Sequence, residues 1–277
     1  MSNPLPNSAT FESRYLSGAE LYGDDFSPAE VAAWFEDERE GYAELGANEG
    51  DGSGYSYHQL NIRHGFRWLP PGRRFESALG VGAAYGAEFE PVADRLDEVT
   101  ILEPSDQLVG TAIGDIEPVY FKPKPNGLMP FADAAFDLTV CFGTLHHIPN
   151  VSAVLGEIGR VTKSGGYALI REPIVSMGDW RGTRKAGITK RERGIPMHLL
   201  RQMVEASGFR IERAKVCVFP LMPRVGRVLH RPQYNSPFLT AVDEVASLVT
   251  RPLYRYHATT VAQKIRPTSL FVVARKR

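Results

Sequence analysis

Short apolar runs alternate with longer segments of helical periodicity through the middle of the chain. This alternation is typical of strands connected by helices, and it favours a mostly parallel sheet with helices on both faces. The predicted strands here are residues 75–80, 99–102, 118–121, 136–141 and 167–171. The predicted helices are residues 85–96, a short helix near Gln107, and residues 151–161.

The N-terminal region has a different pattern. Ser27-Pro28-Ala29-Glu30 predicts the start of a helix, because serine caps, proline suits the first turn and glutamate returns a hydrogen bond to the cap. A second helix is predicted over residues 57–68, ahead of the breaker Pro70-Pro71-Gly72. We therefore expect a helical cap segment at residues 1–72 and a main domain at residues 73–277.

The C-terminal region continues the main domain with a helix at 195–207 and strands at 210–219 and 268–274. Insertions are expected at 174–194 and 220–267. Apolar residues at helical spacing in the second insertion predict core packing or a subunit interface, or alternatively a lid over a substrate. These residues are Phe238, Leu239, Val242, Val245, Leu248 and Val249.

A glycine-containing turn follows the first strand of the main domain. It reads Gly80-Val81-Gly82-Ala83-Ala84-Tyr85-Gly86, and Glu103 closes the next strand. Glycines let a ligand approach the backbone closely, and a helix start offers free N–H donors. A carboxylate about 20 residues further on is placed to accept the hydroxyls of a ribose. The pattern predicts a site for a cofactor that contains adenosine.

Two further blocks make the pattern more specific. The first runs from Met129-Pro130-Phe131 through Phe136-Asp137 to Leu145-His146-His147, and the second is Arg160-Val161-Thr162-Lys163-Ser164-Gly165-Gly166. Their order and spacing resemble those of class I S-adenosylmethionine-dependent methyltransferases of the small-molecule type. The resemblance covers roughly residues 75–217. It implies a Rossmann-like α/β fold with a seven-stranded, mostly parallel sheet and an antiparallel hairpin at one edge.

The resemblance also implies which residues hold the cofactor, S-adenosylmethionine, and its product, S-adenosylhomocysteine. The sequence departs from the family where Gly80 replaces an acid that orients the methionine part, and where Ala84 replaces a glycine. Asn126 stands near the position of an aspartate that meets the adenine amine. The cofactor-binding residues expected from the resemblance are Gly80, Gly82, Gly86, Glu103, Asn126, Phe142 and Gly143.

Composition and charge narrow the classes of partner. The formal net charge is zero, which argues against binding nucleic acid through general electrostatics. Acidic residues prevail before residue 60 and basic ones after residue 181. This favours either two solvated faces of opposite charge that attract each other or a basic wall around a substrate. Cys141 and Cys217 are expected as buried small hydrophobes. The sequence shows no secretion signal, membrane span or metal-ligand spacing, so a cytoplasmic protein without a metal is expected.

Candidate catalytic residues follow the fourth and fifth strands of the predicted sheet. A hydroxyl acceptor benefits from a base, and histidine suits this because its pKa lies near neutrality. His146 is the favoured base, with His147 as the alternative, and Glu172 is placed to orient the imidazole. We expect Tyr57, His58 and Arg181 to contact the acceptor, because aromatic rings and fork-shaped cations suit sugars.

The sequence thus predicts an S-adenosylmethionine-dependent O-methyltransferase that acts on a sugar, a glycoside or a related small molecule. Its resemblance to methyltransferases of polysaccharide assembly favours this acceptor class, and a homodimer is possible. One alternative is a lipid, quinone or polyketide acceptor. Another is a methyltransferase-like scaffold without catalysis, which the residues Gly80 and Ala84 motivate.

Overall fold

A computed structural model describes residues 8–46, 54–177 and 191–277. Its seven strands form one sheet in the order β3-β2-β1-β4-β5-β7-β6. Only β7 is antiparallel to its neighbours, β5 and β6, so the predicted fold class and edge hairpin are confirmed. The strands are β1 Phe75–Val81, β2 Leu96–Leu102, β3 Val119–Phe121, β4 Phe136–Phe142, β5 Thr162–Pro173, β6 Phe209–Cys217 and β7 Ser269–Lys276.

The α-helices lie on both faces of this sheet and before it in the chain. Helix α2 begins at the predicted cap, where Ser27 Oγ and the Ser27 backbone N–H both donate to Glu30 Oε2, at 2.6 and 2.9 Å. Helix α4 matches its predicted bounds. The helices are α1 Ser8–Phe11, α2 Pro28–Gly46, α3 His58–His64, α4 Val151–Val161, α5 Met197–Ala206, α6 Met222–Val228 and α7 Pro237–Thr250.

Two predicted helices differ in the structure. Residues Ala87–Arg95 form a 3₁₀ helix with Pro91 inside it, and in an α-helix the proline ring would clash with the carbonyl four residues earlier. The short helix expected near Gln107 is absent from this described part of the chain. Side chains hold the backbone there instead. Glu103 Oε1 accepts a hydrogen bond from the Ser105 N–H, and Ser105 Oγ accepts one from the Gln107 N–H.

The apolar core lies in two layers, one on each face of the sheet. One layer packs α4 and α5 against the sheet, and the other packs α3 and the residues after the glycine turn. Cys141 and Cys217 are buried and free, as expected. None of the described helices is long and apolar enough to cross a membrane.

The second insertion contributes Met222, Tyr234 and Leu239 to the core, but the apolar stripe predicted along α7 does not pack there. Of its apolar residues at helical spacing, only Leu239 is buried, while Phe238, Val242, Val245, Leu248 and Val249 are exposed. Instead, α7 is fixed by polar contacts, including Asp243, whose carboxylate accepts the backbone N–H groups of Val218 and Phe219 at 3.0 and 2.7 Å. The interpretation of this stripe as core packing is therefore wrong. The division of the chain near residue 72 stays a prediction.

Candidate active site

Two adjoining cavities open at the carboxyl ends of β1, β2, β4 and β5. The first has a volume of about 100 Å³ and is lined by Gly82, Leu102, Glu103 and the segment after β3. The second has a volume of about 510 Å³ and is lined largely by ionisable and aromatic side chains. His147 lines both cavities. Strand ends in a sheet of this kind are where ligands bind, so the cavities are the candidate site.

Glu103 lies at the base of the first cavity and is almost completely buried. Its two carboxylate oxygens accept backbone N–H groups from Ser105 at 2.9 Å and Ala84 at 3.2 Å. Each oxygen keeps a lone pair with which it can accept a further hydrogen bond. Burial raises the pKa of Glu103 to about 7, against the opposing effect of these two N–H donors. This arrangement fits the expected ribose contact.

The glycines of the turn have different roles. Gly82 lines the first cavity, and its φ of +63° together with the closeness of Thr144 excludes a side chain. Gly80 and Gly86 line neither cavity. A Cβ at Gly80 would lie 2.7 Å from that of Ala83, and Gly86 has a φ of +80°. Of the three glycines, only Gly82 lines a cavity, whereas Gly80 and Gly86 shape the turn, and their contacts with a cofactor stay predictions.

The segment after β3 forms the far wall of the first cavity, but not through the predicted residue. Lys124, Pro125, Gly127 and Met129 line the cavity. Asn126 is exposed and does not line it, because its Oδ1 accepts the Leu128 N–H at 3.1 Å in a local turn. The predicted adenine contact through the Asn126 side chain is therefore not supported by the geometry.

Helix α2 covers the first cavity with Phe35, Glu38 and Arg39. The helix is fixed over the site by Trp34, whose Nε1 donates to the His147 carbonyl at 2.8 Å. Tyr15 and Tyr22 lie in an aromatic cluster with Phe11, with ring centroids 5.1–5.4 Å apart. They pack and do not line either cavity.

His146 lies between two carboxylates in the second cavity. Its Nδ1 is 2.9 Å from Glu172 Oε2, and its Nε2 is 3.4 Å from Glu192 Oε1. Burial alone would lower the pKa of His146, but the hydrogen bonds to Glu172 and Glu192 outweigh it and raise the pKa to about 9. At neutral pH the ring is therefore a cation. Glu172 also accepts the backbone N–H groups of Thr144 and Leu145, each at 2.9 Å.

His147 has the opposite electrostatic environment. Burial, and then the charge of His146, lower its pKa, although Glu38 acts in the other direction. Its Nδ1 lies 2.8 Å from Glu38 Oε2. An ionised carboxylate only accepts hydrogen bonds, so Nδ1 carries the proton and Nε2 carries the lone pair. His147 is therefore a neutral imidazole of defined tautomer at neutral pH.

Arg193 holds the loop that carries both histidines. The residue is fully buried, and its guanidinium donates to the carbonyls of Tyr22, His146, Ile148 and Pro149 at 2.5–3.3 Å. Burial lowers the pKa of Arg193 to about 10, which still leaves it charged at neutral pH. This one side chain ties the end of the first insertion to the cap segment and to the catalytic loop.

A buried cation and a buried acid line the opposite side of the second cavity. Arg171 donates to Asn61 Oδ1 at 3.2 Å and lies 4.1 Å from the centroid of the Tyr57 ring. Burial raises the pKa of Glu88 to about 8. Among the described residues, no oppositely charged side chain lies within 4 Å of either group. Phe142 and Gly143 also line this cavity, and their predicted contact with the cofactor stays a prediction.

The three predicted acceptor-binding residues have three different outcomes. Tyr57 lines the second cavity, where its ring also stacks on Tyr234 at a centroid distance of 5.4 Å. His58 does not line it, because its Nε2 is 3.0 Å from the Ala87 carbonyl and 3.3 Å from Glu90. Arg181 lies outside the described residues.

Several site residues are absent from the sequence prediction. Glu38, Glu88, Arg171, Glu192 and Arg193 are far apart in the chain and form no motif with one another. Although no metal is expected from the sequence, the ligating atoms of His146, His147 and Glu192 lie within 4.8 Å of one another. Glu88 and Arg171 could have been noticed as charged residues beside apolar ones, whereas Glu38, Glu192 and Arg193 lie in charged stretches that give no such signal.

Comparisons with known proteins agree with this fold. Residues 79–170 match the family described as Methyltransferase domain. No curated protein sequence matches the chain. The S-adenosylmethionine-dependent methyltransferase of Mesorhizobium loti is 16% identical with a TM-score of 0.50, over 76% of this chain and 94% of that one.

Two further solved structures are similar in fold. The YcgJ protein of Bacillus subtilis is 16% identical with a TM-score of 0.50, over 79% of this chain and 98% of that one. Phosphoethanolamine N-methyltransferase 2 of Haemonchus contortus, solved with phosphomonomethylethanolamine and S-adenosylhomocysteine, is 15% identical with a TM-score of 0.53. That match covers 84% of this chain and 56% of that one. The chain thus carries a match to the methyltransferase domain family over residues 79–170, and it shares the fold of these solved structures.

Proposed function

We propose that the protein is an O-methyltransferase that modifies a hydroxyl of a saccharide or a related polar small molecule. The observation that supports this most is the lining of the second cavity. Besides Glu88 and Arg171, which would serve the cofactor, it contains Tyr57, Glu192 and both histidines, and no residue of the insertion 220–267. A lipid, quinone or polyketide acceptor would instead call for an apolar wall. Hydrogen-bonding and charged groups suit an acceptor rich in hydroxyls.

The residues of both cavities fit the two ends of the cofactor. Glu103 would hold the ribose, with Leu102, Pro104 and Met129 as apolar surface for the adenine. Glu88 would take the ammonium group of the methionine part, in place of the acid that Gly80 replaces. Arg171 would take its carboxylate. When bound, S-adenosylmethionine supplies an electrophilic methyl group on a sulfonium.

His147 is the better candidate for the base that receives the hydroxyl proton. Its pKa is lowered, it lines both cavities, and its Nδ1 is fixed by Glu38, which makes Nε2 the nitrogen that carries no hydrogen in this tautomer. The carboxylate also stabilises the imidazolium that forms when the proton arrives, as in a catalytic triad. The chain's contribution is therefore positioning together with general-base catalysis.

His146, which the sequence favours as base, suits a different role. Its raised pKa keeps it protonated at neutral pH, and both ring nitrogens face carboxylates, so it is poorly placed to accept a proton. As a fixed cation beside His147, it keeps the pKa of His147 low. We therefore assign His146 and Glu172 to positioning and tuning of the base.

The first experiment measures formation of S-adenosylhomocysteine from S-adenosylmethionine with a panel of sugars, glycosides and sugar phosphates, alongside quinols and hydroxylated lipids. Turnover with a sugar, and none with its deoxy analogue at the modified position, would support the proposal. Turnover only with apolar acceptors would contradict it. Calorimetric titration with S-adenosylhomocysteine, and with NAD as control, separates a poor acceptor choice from a scaffold that does not bind the cofactor.

Treatment with a chelator distinguishes catalysis by a histidine base from catalysis assisted by a metal. If His147 is the base, turnover persists after treatment with EDTA and is not restored or raised by added divalent cations. Loss of turnover with EDTA, followed by recovery with one cation, would replace the base with metal-assisted chemistry at His146, His147 and Glu192.

A further inference from the structure

We propose that α7 and the basic residues of the insertion 220–267 form a docking surface for the anionic face of a lipid bilayer. This inference does not depend on the identity of the acceptor. It arises from two independent features of the insertion, which are the orientation of α7 and the distribution of charge around it.

Helix α7 has its apolar side in water and its polar side in the protein. Phe238, Val245 and Val249 are 72%, 62% and 71% exposed, and Val242 lies between them on the same helical stripe. Thr240, Asp243 and Ser247 on the opposite side are fully buried. A surface helix normally shows the reverse arrangement. The stripe is therefore available to insert into another apolar phase.

The polar side holds the helix firmly in this orientation. Asp243 accepts from the Tyr234 hydroxyl at 3.1 Å as well as from two backbone N–H groups, and Glu244 accepts from Arg63 at 2.5 Å. These bonds are specific in direction, so the helix cannot simply rotate to bury its apolar stripe without breaking them. The exposure of the stripe is thus a built feature of the fold.

The exposed charge of the insertion that contains α7 is of one sign. The insertion contains only two acidic residues, of which Asp243 is buried and Glu244 is paired with Arg63. Six cations are exposed, and no acidic side chain among the described residues lies within 4 Å of them. They are Arg224, Arg227, Arg231, Arg251, Arg255 and Lys264. An apolar stripe together with unpaired cations is the pattern of a surface that binds anionic lipid headgroups.

The same charges disfavour a second copy of the chain as the occupant. A twofold dimer presents the same patch on both sides, so an α7 to α7 contact would bring arginines of one copy towards those of the other. Like charges that are brought together in an interface cost binding free energy. An anionic bilayer meets both the apolar and the electrostatic requirement.

The test is co-sedimentation of the full-length protein with vesicles of phosphatidylcholine, with and without phosphatidylglycerol. We expect binding to the anionic vesicles, weak binding to the neutral ones, and loss at high salt. Val245→Asp and the pair Arg227→Glu with Arg231→Glu should each lower the partition coefficient by about tenfold or more. The controls are Val119→Asp on β3 and Arg210→Glu on β6, which are exposed sites outside the insertion.

Thermal melts and titration with S-adenosylhomocysteine check that each variant is folded. Equal binding by the wild type and Val245→Asp, or no binding to anionic vesicles, would overturn the proposal. Sedimentation velocity tests whether a second copy of the chain binds the apolar stripe instead. A dimer of the wild type that Val245→Asp converts to a monomer would assign the stripe to a second copy and would also overturn it.

Discussion

The two cavities of the site are built by different parts of the sequence. The first is formed mainly by backbone and apolar groups at the ends of β1 and β2, together with two buried acids, Glu103 and Glu38. The second collects ionisable side chains from the 3₁₀ segment, the ends of β4 and β5, and the end of the first insertion. In the proposed assignment, the adenosine end of the cofactor is held by groups that are close together in the chain, whereas its amino-acid end and the acceptor depend on residues that are distant in the chain.

Replacement of His147 gives the sharpest contrast between the cavities. We expect His147→Ala to lower kcat by about 10²–10⁴-fold, because the hydroxyl loses its base. Affinity for S-adenosylhomocysteine should change little, since the loss falls on the acceptor side. The pH profile of the wild type should decline on the acid side below the ordinary range of histidine, where His147 takes up a proton and can no longer accept one.

Glu38→Gln is the matched variant for this prediction. Glutamine retains the contact with Nδ1 but loses the charge that stabilises the imidazolium, so kcat should fall by less than in His147→Ala. Full activity in His147→Ala at neutral pH would rule out this residue as the base. Loss of cofactor affinity in the same variant would show that the two cavities are not separable in this way.

Replacement of Glu103 tests the first cavity. Glu103→Ala should weaken binding of S-adenosylhomocysteine by about 10–100-fold, because hydrogen bonds to a charged acceptor contribute about 1.5–3 kcal/mol. Glu98→Ala, an exposed acid of the same strand, is the control. Because the pKa of Glu103 is raised to about 7, wild-type affinity should also rise between pH 6 and pH 8 as the carboxylate loses its proton. Calorimetry at both pH values measures this change.

The first cavity was the more predictable one from sequence, for physical reasons. Its parts are adjacent in the chain, and the strand, turn and carboxylate are fixed by spacing. Even there, Gly80 lines neither cavity, because the position is without a side chain to leave room for Ala83 and Phe89, and its contact with the cofactor stays a prediction. Asn126 forms a local turn because a short polar side chain readily bonds the backbone two residues on.

The second cavity required tertiary information. His146, His147 and Glu172 could be located because strand ends converge, and the structure brings His146 and Glu172 into contact. Their protonation could not be predicted, because it depends on Glu38 and Glu192, which lie in other parts of the fold. The 3₁₀ form of residues 87–95 likewise determines where Glu88 points, and it follows from Pro91.

Replacement of Glu88 tests how the cofactor extends from one cavity into the other. Glu88→Gln should weaken binding of S-adenosylhomocysteine by about tenfold, because a charged hydrogen bond to its ammonium is lost. Binding of 5′-methylthioadenosine, which lacks the amino-acid part, should not change. An equal loss for both ligands would show that Glu88 acts on the fold and not on the ammonium group. Arg171→Gln should show the same selectivity if it holds the carboxylate.

The pH dependence of the free energy of unfolding provides a test of Glu88 that does not depend on activity. Because the pKa of Glu88 is about 8 in the folded state and near 4.5 when unfolded, the folded chain keeps a proton that the unfolded chain has lost between these values. Stability therefore falls as pH rises through this window, by at most about 1.4 kcal/mol per pH unit from this group. Glu88→Gln removes that contribution, so urea unfolding at pH 5.5 and pH 7.5 should show a smaller fall in the free energy of unfolding for the variant than for the wild type.

Saturating S-adenosylhomocysteine should reduce this difference between variant and wild type, since its ammonium favours the ionised carboxylate. A difference that the ligand leaves unchanged would separate Glu88 from the cofactor and confine it to the acceptor side of the second cavity.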